Sequence, residues 1–201
     1  MTAPDAVRAA SAAAPDLATL ARAMSACTAC PELVAGRTHV VVGSTPPGAR
    51  LLLLGEAPGV QEDATGAPFV GRSGQLLDQL LAEAGGRRQD VAVLNTLKCR
   101  PPANRPPRPA ETARCRGWVE RQLQLAAPAL VVALGLSASR WFLGSTTLTA
   151  VRGVVHDVAM PWGTLRVLPT YHPSAALRWG PDGEPRRVLR ADLACALAAV
   201  K

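Results

Sequence analysis

Lysine is almost missing from this chain. Of its 22 Lys and Arg residues only Lys98 and Lys201 are lysine, so 20 are arginine. Aromatic residues are scarce too, with two Phe, one Tyr and four Trp in 201 residues, so the placement of each one is informative. No apolar run approaches the ~20 residues of a membrane helix, and no membrane partner is expected. The Gly-x4-Gly-Lys-Ser/Thr pattern of a phosphate-binding loop is absent, and no internal repeat is present. Residues 1–24 hold Asp5, Arg8, Asp16 and Arg22 in an Ala-rich stretch, which does not read as a secretory leader. A cytoplasmic location, where thiols stay reduced, is the expectation.

The charge that is present is positive, +7 with pI ≈ 9.9. Arginine presents a planar donor fork suited to phosphate oxygens, which points to a polyanionic partner. Biased codon use gives the same composition, so the charge alone does not decide. A chain of this length is expected to form one domain that buries about 70% of the unfolded surface. Such a core needs no staple, so a metal site would require a reason beyond bulk stability.

Residues 1–14 read as a frayed or disordered tail, and 15–201 as a single domain. Leu17, Leu20, Ala21 and Met24 mark a helix ending before Cys27. Val40 to Gly43 reads as a short strand. Leu51–Gly55, Val91–Asn95 and Ala129–Leu134 are continuous apolar runs of the kind found in strands buried on both faces. Ser73 is placed to cap a helix carrying Leu76, Leu77, Leu80 and Leu81. Helices are expected from Pro109 to Ala126 and Pro185 to Ala199, and strands over Val151–Val158 and Thr164–Leu168. This alternation predicts a three-layer α/β/α domain around a mainly parallel sheet of four to five strands. In such sheets sites form beyond the carboxyl ends of strands. Gly55-Glu56, Asn95 and Thr170-Tyr171-His172 all follow apolar runs and so reach one edge.

Four cysteines fall in two pairs, Cys27-x-x-Cys30 and Cys99-x15-Cys115. In a reduced compartment clustered cysteines bind metal more often than they pair as disulfides. Tetrathiolate sites serve both zinc and iron–sulfur clusters, and spacing leaves both open. Cys195, on the last helix, reads as a small buried apolar residue. Between the pairs lies GEAPGVQEDATGAPFVGRSG, residues 55–74, a glycine-rich loop that opens a helix. Its glycines permit close backbone approach to a ligand, and a helix start favours negative charge; a plain tight crossover is the competing reading. Phe69 in that loop reads either as a stacking face for a flat base or as an apolar plug. Asn95 can read a face presenting both a donor and an acceptor, or cap the next turn. His172, in Tyr171-His172-Pro173-Ser174, ends a strand on the same edge, whereas His39 and His156 read as structural.

Taken together, GEAPGVQEDATGAPFVGRSGQLLD, LNTLKCRPPANRPPRPAETARC and TYHPSAALR resemble the family 4 uracil-DNA glycosylases. These are base-excision enzymes with a [4Fe–4S] cluster, and the resemblance runs from about Cys27 through the last helix. It implies cluster ligation by Cys27, Cys30, Cys99 and Cys115. It implies catalytic positions at Glu56, Glu62 and His172, a pocket floor from Gly55, Ala57 and Gly59, base stacking by Phe69, and recognition of the uracil edge by Asn95, with His172 beside O2. Ser73 departs from the alanine usual in the family. Residues 100–114 contain no His, so the covalent trapping of a superfamily relative is not expected. The implied activity is monofunctional release of uracil from single- or double-stranded DNA by a monomer. The competing classes are a non-catalytic iron–sulfur module that binds damaged DNA and a zinc-bound nucleotide hydrolase.

Overall fold

Three five-residue runs form three adjacent strands of the sheet, and every residue in them is buried. The computed structural model describes residues 2–201. In chain order its elements are α1 (Ala3–Ala12), α2 (Leu17–Ser25), α3 (Pro31–Val34), β1 (Leu51–Gly55), α4 (Val60–Thr65), α5 (Arg72–Glu83), β2 (Val91–Asn95), α6 (Pro109–Ala126), β3 (Leu130–Leu134), α7 (Gly135–Leu143), α8 (Leu148–Val151), β4 (His156–Met160), β5 (Gly163–Thr170), α9 (Pro173–Trp179) and α10 (Glu184–Ala198). The sheet order is β2-β1-β3-β5-β4. All neighbours are parallel except β4, which pairs antiparallel with β5 at the edge.

Alternation along the strands sorts the core into two layers. Leu51 and Leu53 face one way, onto Leu77, Leu80 and Leu81 of α5 and Leu189 and Leu193 of α10. Leu52 and Leu54 face the other way, onto Val119 and Leu123 of α6 and Trp141 of α7. The three-layer α/β/α architecture is therefore as expected from the sequence.

Five local expectations differ. The segment read as a disordered tail is helix α1, closed by a capping box between Thr2 and Asp5. Its alanines favour helix, and Val7, Ser11 and Ala14 are buried. Gly117 of α6 admits it closely, since a Cβ there would lie 3.3 Å from the Arg8 backbone nitrogen. Arg121 donates from Nε and Nη2 to the Ala14 carbonyl at 3.1 and 2.6 Å. The stretch 40–43 is not a strand; only Ser44 bridges to Val93. Val151 ends helix α8, and the edge strand begins at His156. Gly71, not Ser73, precedes the first turn of α5. Cys195 is exposed, because the buried stripe of α10 runs through Leu189, Leu193 and Ala196.

Candidate active site

β1 and β2 end side by side, with Gly55 opposite Asn95. A Cβ on Gly55 would lie 2.5 Å from both Asn95 Oδ1 and Phe69 Cζ, so only glycine lets the amide and the ring meet there. Phe69 itself sits at φ +53°, a left-handed backbone that costs a non-glycine residue roughly 1–3 kcal/mol. Gly74 makes this possible, because a Cβ at that position would lie 1.7 Å from the Phe69 carbonyl oxygen.

The loop between is tied by Glu62. Its Oε2 accepts the Gly59 N–H at 3.0 Å, and its Oε1 accepts those of Val70 and Gly71, both at 2.8 Å. A buried carboxylate with three amide donors is a strong charge-assisted tie. It also fixes Val70 and Gly71, the two residues just before α5, whose first turn carries no side-chain cap. Ser73 instead lines the cavity.

At the third strand end, Thr170 pairs with Leu134 and donates from Oγ1 to Asp192 on α10 at 2.5 Å. Burial holds the Asp192 carboxyl above its ordinary range, with the Thr170 hydrogen bond acting against it. Two residues on, His172 caps α9: its Nδ1 accepts the Ser174 N–H at 3.1 Å and lies 2.8 Å from Ser174 Oγ. An acceptor at Nδ1 puts the proton of the neutral ring on Nε2. Burial lowers the His172 pKa to about 4, so the ring is neutral at neutral pH.

The Phe69 and His172 ring centres are 5.9 Å apart with planes inclined at 36°. These two rings, Asn95, Ala57, Gly59, Glu62 and Ser73 line one cavity of about 140 Å³. That is well under the roughly 300–1,000 Å³ of sites for larger ligands, and matches a single planar ring. Asn95 is 2% exposed and its Oδ1 has no hydrogen-bond partner. Leaving a buried acceptor unmet costs roughly 1–3 kcal/mol, so this oxygen asks for a donor from a ligand.

Glu56 is not on that wall. It lines a neighbouring groove of about 610 Å³ with Pro106, Pro107, Arg116, Arg140 and Trp141. Its carboxylate takes no part in the ion pairs among the described residues. Its backbone oxygen accepts from Leu97 N–H at 3.0 Å and Thr96 Oγ1 at 2.7 Å, binding the loop to the segment after Asn95. His39 and His156 hold backbone carbonyls, of Asp63 and Val151, at 2.7 and 2.9 Å, in keeping with structural roles.

That segment runs from Asn95 directly to the thiols. Cys27 follows α2, Cys30 immediately precedes α3, Cys99 lies four residues past Asn95, and Cys115 is on α6. All four line one cavity together with Arg37, Lys98, Arg114 and Trp118. Arg37 Nη1 donates to Cys99 Sγ at 3.0 Å, and Trp118 Nε1 to Cys27 Sγ at 3.4 Å. The Arg114 guanidinium lines the same cavity as Cys30 and donates to Glu32 at 2.9 Å. The Lys98 ammonium is buried and has no hydrogen-bond partner. Burial pushes the thiol of Cys30 up to about 11 and that of Cys115 to about 12, opposed by Arg114 and Lys98 respectively; Cys99 is raised likewise against Arg37. Burial lowers Lys98 to about 8, the Cys115 and Cys99 thiolates opposing it. Sequence reasoning passed over Lys98, Arg37 and Trp118; the one available signal was a nearly lysine-free chain placing one of its two lysines beside Cys99.

A family model described as the uracil DNA glycosylase superfamily matches residues 42–194. The chain is 44% identical over 178 residues to the type-4 uracil-DNA glycosylase of Thermotoga maritima, covering 87% of this chain and 90% of that one. It is 40% identical over 164 residues to the type-4 uracil-DNA glycosylase of Archaeoglobus fulgidus, covering 79% and 81%. With the type-5 uracil-DNA glycosylase of Thermus thermophilus it shares 36% identity over 143 residues, 56% of this chain and 65% of the other. The chain therefore belongs to the uracil DNA glycosylase superfamily, on its type-4 branch.

Proposed function

We propose that this chain excises uracil from DNA by hydrolysing the N-glycosidic bond of deoxyuridine and leaving an abasic site. The observation that carries the reading is the meeting of an unpartnered buried amide oxygen on Asn95, the Phe69 ring and the His172 imidazole around one ring-sized cavity. A base inside the stack is out of reach, so the nucleotide must first be extruded. Phe69 then offers its face to the base. Asn95 accepts the uracil N3–H and donates to O4; cytosine presents an acceptor and a donor in the opposite order and is refused. Thymine is refused if the floor of the pocket leaves no room for its methyl group.

As the bond breaks toward an oxocarbenium sugar, negative charge gathers on uracil O2. His172 donates its Nε2–H there as a neutral ring, an effect of roughly 3–4 kcal/mol for a well-placed donor. The two glutamates divide their work. Glu62 has its oxygens committed to three backbone amides and holds the loop. Glu56 has a free carboxylate on the open side, and it orients the water that attacks C1′. Arg108 and Arg178, both exposed, hold phosphates; Arg105 is committed to Glu111 through two bonds of 2.9 and 2.5 Å.

The thiols fit an iron–sulfur cluster. Four sulfurs from three segments share one cavity with N–H donors and cations, Trp118 and Arg37 resting on Cys27 and Cys99, the surroundings that tune such clusters. Among the described residues no three His, Cys, Asp or Glu side chains are gathered as a single ion would need, whereas zinc draws its thiolates in to about 2.3 Å. Bound there, the cluster supplies a rigid link between α2, α6 and the Asn95–Cys99 segment, with no part in the chemistry at uracil.

The test is incubation with a labelled oligonucleotide carrying one uracil, followed by alkaline cleavage of abasic sites. Strand breakage at the uracil position, with none at a cytosine or thymine control, is expected. Binding of the oligonucleotide without uracil release would instead mark a non-catalytic module.

A further inference from the structure

The mechanism makes no use of Lys98, which among the described residues is the only lysine or arginine fully buried, at 1% exposure. An ammonium taken out of water costs several kcal/mol unless an anion compensates it. No carboxylate does so. The buried Asp63 accepts from the backbone N–H groups of Thr38 and His39, and the buried Glu111 is held by Arg105 and the Arg108 N–H. What Lys98 shares its cavity with is the four cysteines. Arg37 stands in the same position. It takes part in no ion pair among the described residues, its Nη1 rests on Cys99 Sγ at 3.0 Å, and its Nη2 donates to the Cys27 carbonyl at 2.6 Å. Arg114, the third cation at the thiols, is already shared with Glu32 at 2.9 Å. Two cations without a carboxylate partner thus line the cavity of the sulfurs. Four thiolates on an oxidised [4Fe–4S] core carry a net charge of about −2. Counter-charge and ligands match.

We propose that Lys98 and Arg37 are the resident counter-cations of the cluster, Lys98 from the buried side and Arg37 from the partly exposed side. The proposal rests on the iron–sulfur reading of the thiols. Positive charge held against sulfur in a low-dielectric cavity stabilises the cluster more as its negative charge grows. It therefore favours the one-electron-reduced state and slows the departure of iron. In this role both residues act on the cluster alone and never touch DNA.

The experiment compares the full chain with Lys98→Met and Arg37→Gln, each reconstituted anaerobically with iron and sulfide. Iron and labile sulfide content, with absorbance near 400 nm, first establish whether the unaltered chain carries a cluster. A colourless, iron-free chain overturns the iron–sulfur reading, and this proposal with it. Given a cluster, a mediated titration with dithionite as the one-electron donor reads the midpoint potential. Both variants are expected to reduce at more negative potential and to lose iron to a chelator about 10- to 100-fold faster. A cluster-loaded variant with unaltered potential and unaltered iron loss removes that residue from the role. If Lys98→Met does not fold, Arg37→Gln decides alone, and wild-type behaviour there overturns the proposal.

Discussion

Asn95 is the residue at which stability and function pull apart. Its Oδ1 is buried without a partner, which costs the folded chain and, in the proposed function, serves the base. Asn95→Ala is expected to lower kcat/KM on uracil-containing DNA by about 10²–10³-fold, with melting temperature and 400-nm absorbance close to those of the unaltered chain. Single-turnover kinetics beside a thermal melt measure both. His172 gives the pH counterpart. Its pKa is lowered by burial to about 4, against about 6.5 in an unfolded chain. Between those values the unfolded chain binds a proton that the folded one does not, so stability is full above about pH 6.5 and falls as pH drops toward 4. Activity should be level from pH 8 to about 5.5 as far as His172 is concerned, then decline as the ring protonates. A rate that rises as pH falls through 6.5 would mean that imidazolium, not the neutral ring, is the donor. The sequence identifies both residues by position after an apolar run. It is silent on their state, because an orphaned oxygen and a half-buried imidazole exist only once distant segments close around them.

The loop from β1 to α5 is one mechanical unit held by Glu62. Glu62→Gln replaces one acceptor oxygen by an amide that meets backbone donors, and should cost about 1–3 kcal/mol, or roughly 2–4 °C of melting temperature per kcal/mol. Gly55→Ala should act differently. Its Cβ would press on the Asn95 amide and the Phe69 ring, displacing both while leaving the sheet paired. A loss of about 10²-fold in kcat with a small change in melting temperature is expected, as read by kinetics and calorimetry. The strands β1, β2 and β3 and helix α6 are legible in the sequence because continuous apolar runs and a proline-led helix start are local signals. The false tail and the missing Ser73 cap have a shared physical cause. An alanine-rich segment looks idle until a glycine on α6 offers it a bed, and the entry to α5 looks in need of a serine until a glutamate from the preceding helix holds the two residues before it.

At the scale of the whole molecule, the sheet delivers three strand ends to one edge, and the chain around them carries +7. Non-specific attraction to DNA should therefore come from arginine on phosphate, with release of counterions, so that log K falls linearly with log salt. Exposure alone does not qualify an arginine for this. Arg87 and Arg88 are tied to Asp90 and Asp78, Arg152 to Glu184, and Arg105 to Glu111. Arg178, just past the His172 turn, and Arg108, at the start of α6, are exposed and stand outside those ion pairs. Arg178→Ala and Arg108→Ala should each weaken binding alike for all sequences and reduce the salt slope by about 1. Arg87→Ala should leave the slope where it was. Fluorescence anisotropy with a labelled oligonucleotide over a salt series measures this. Equal slopes for all three variants would place the DNA on some other face than the one onto which the Phe69 cavity opens.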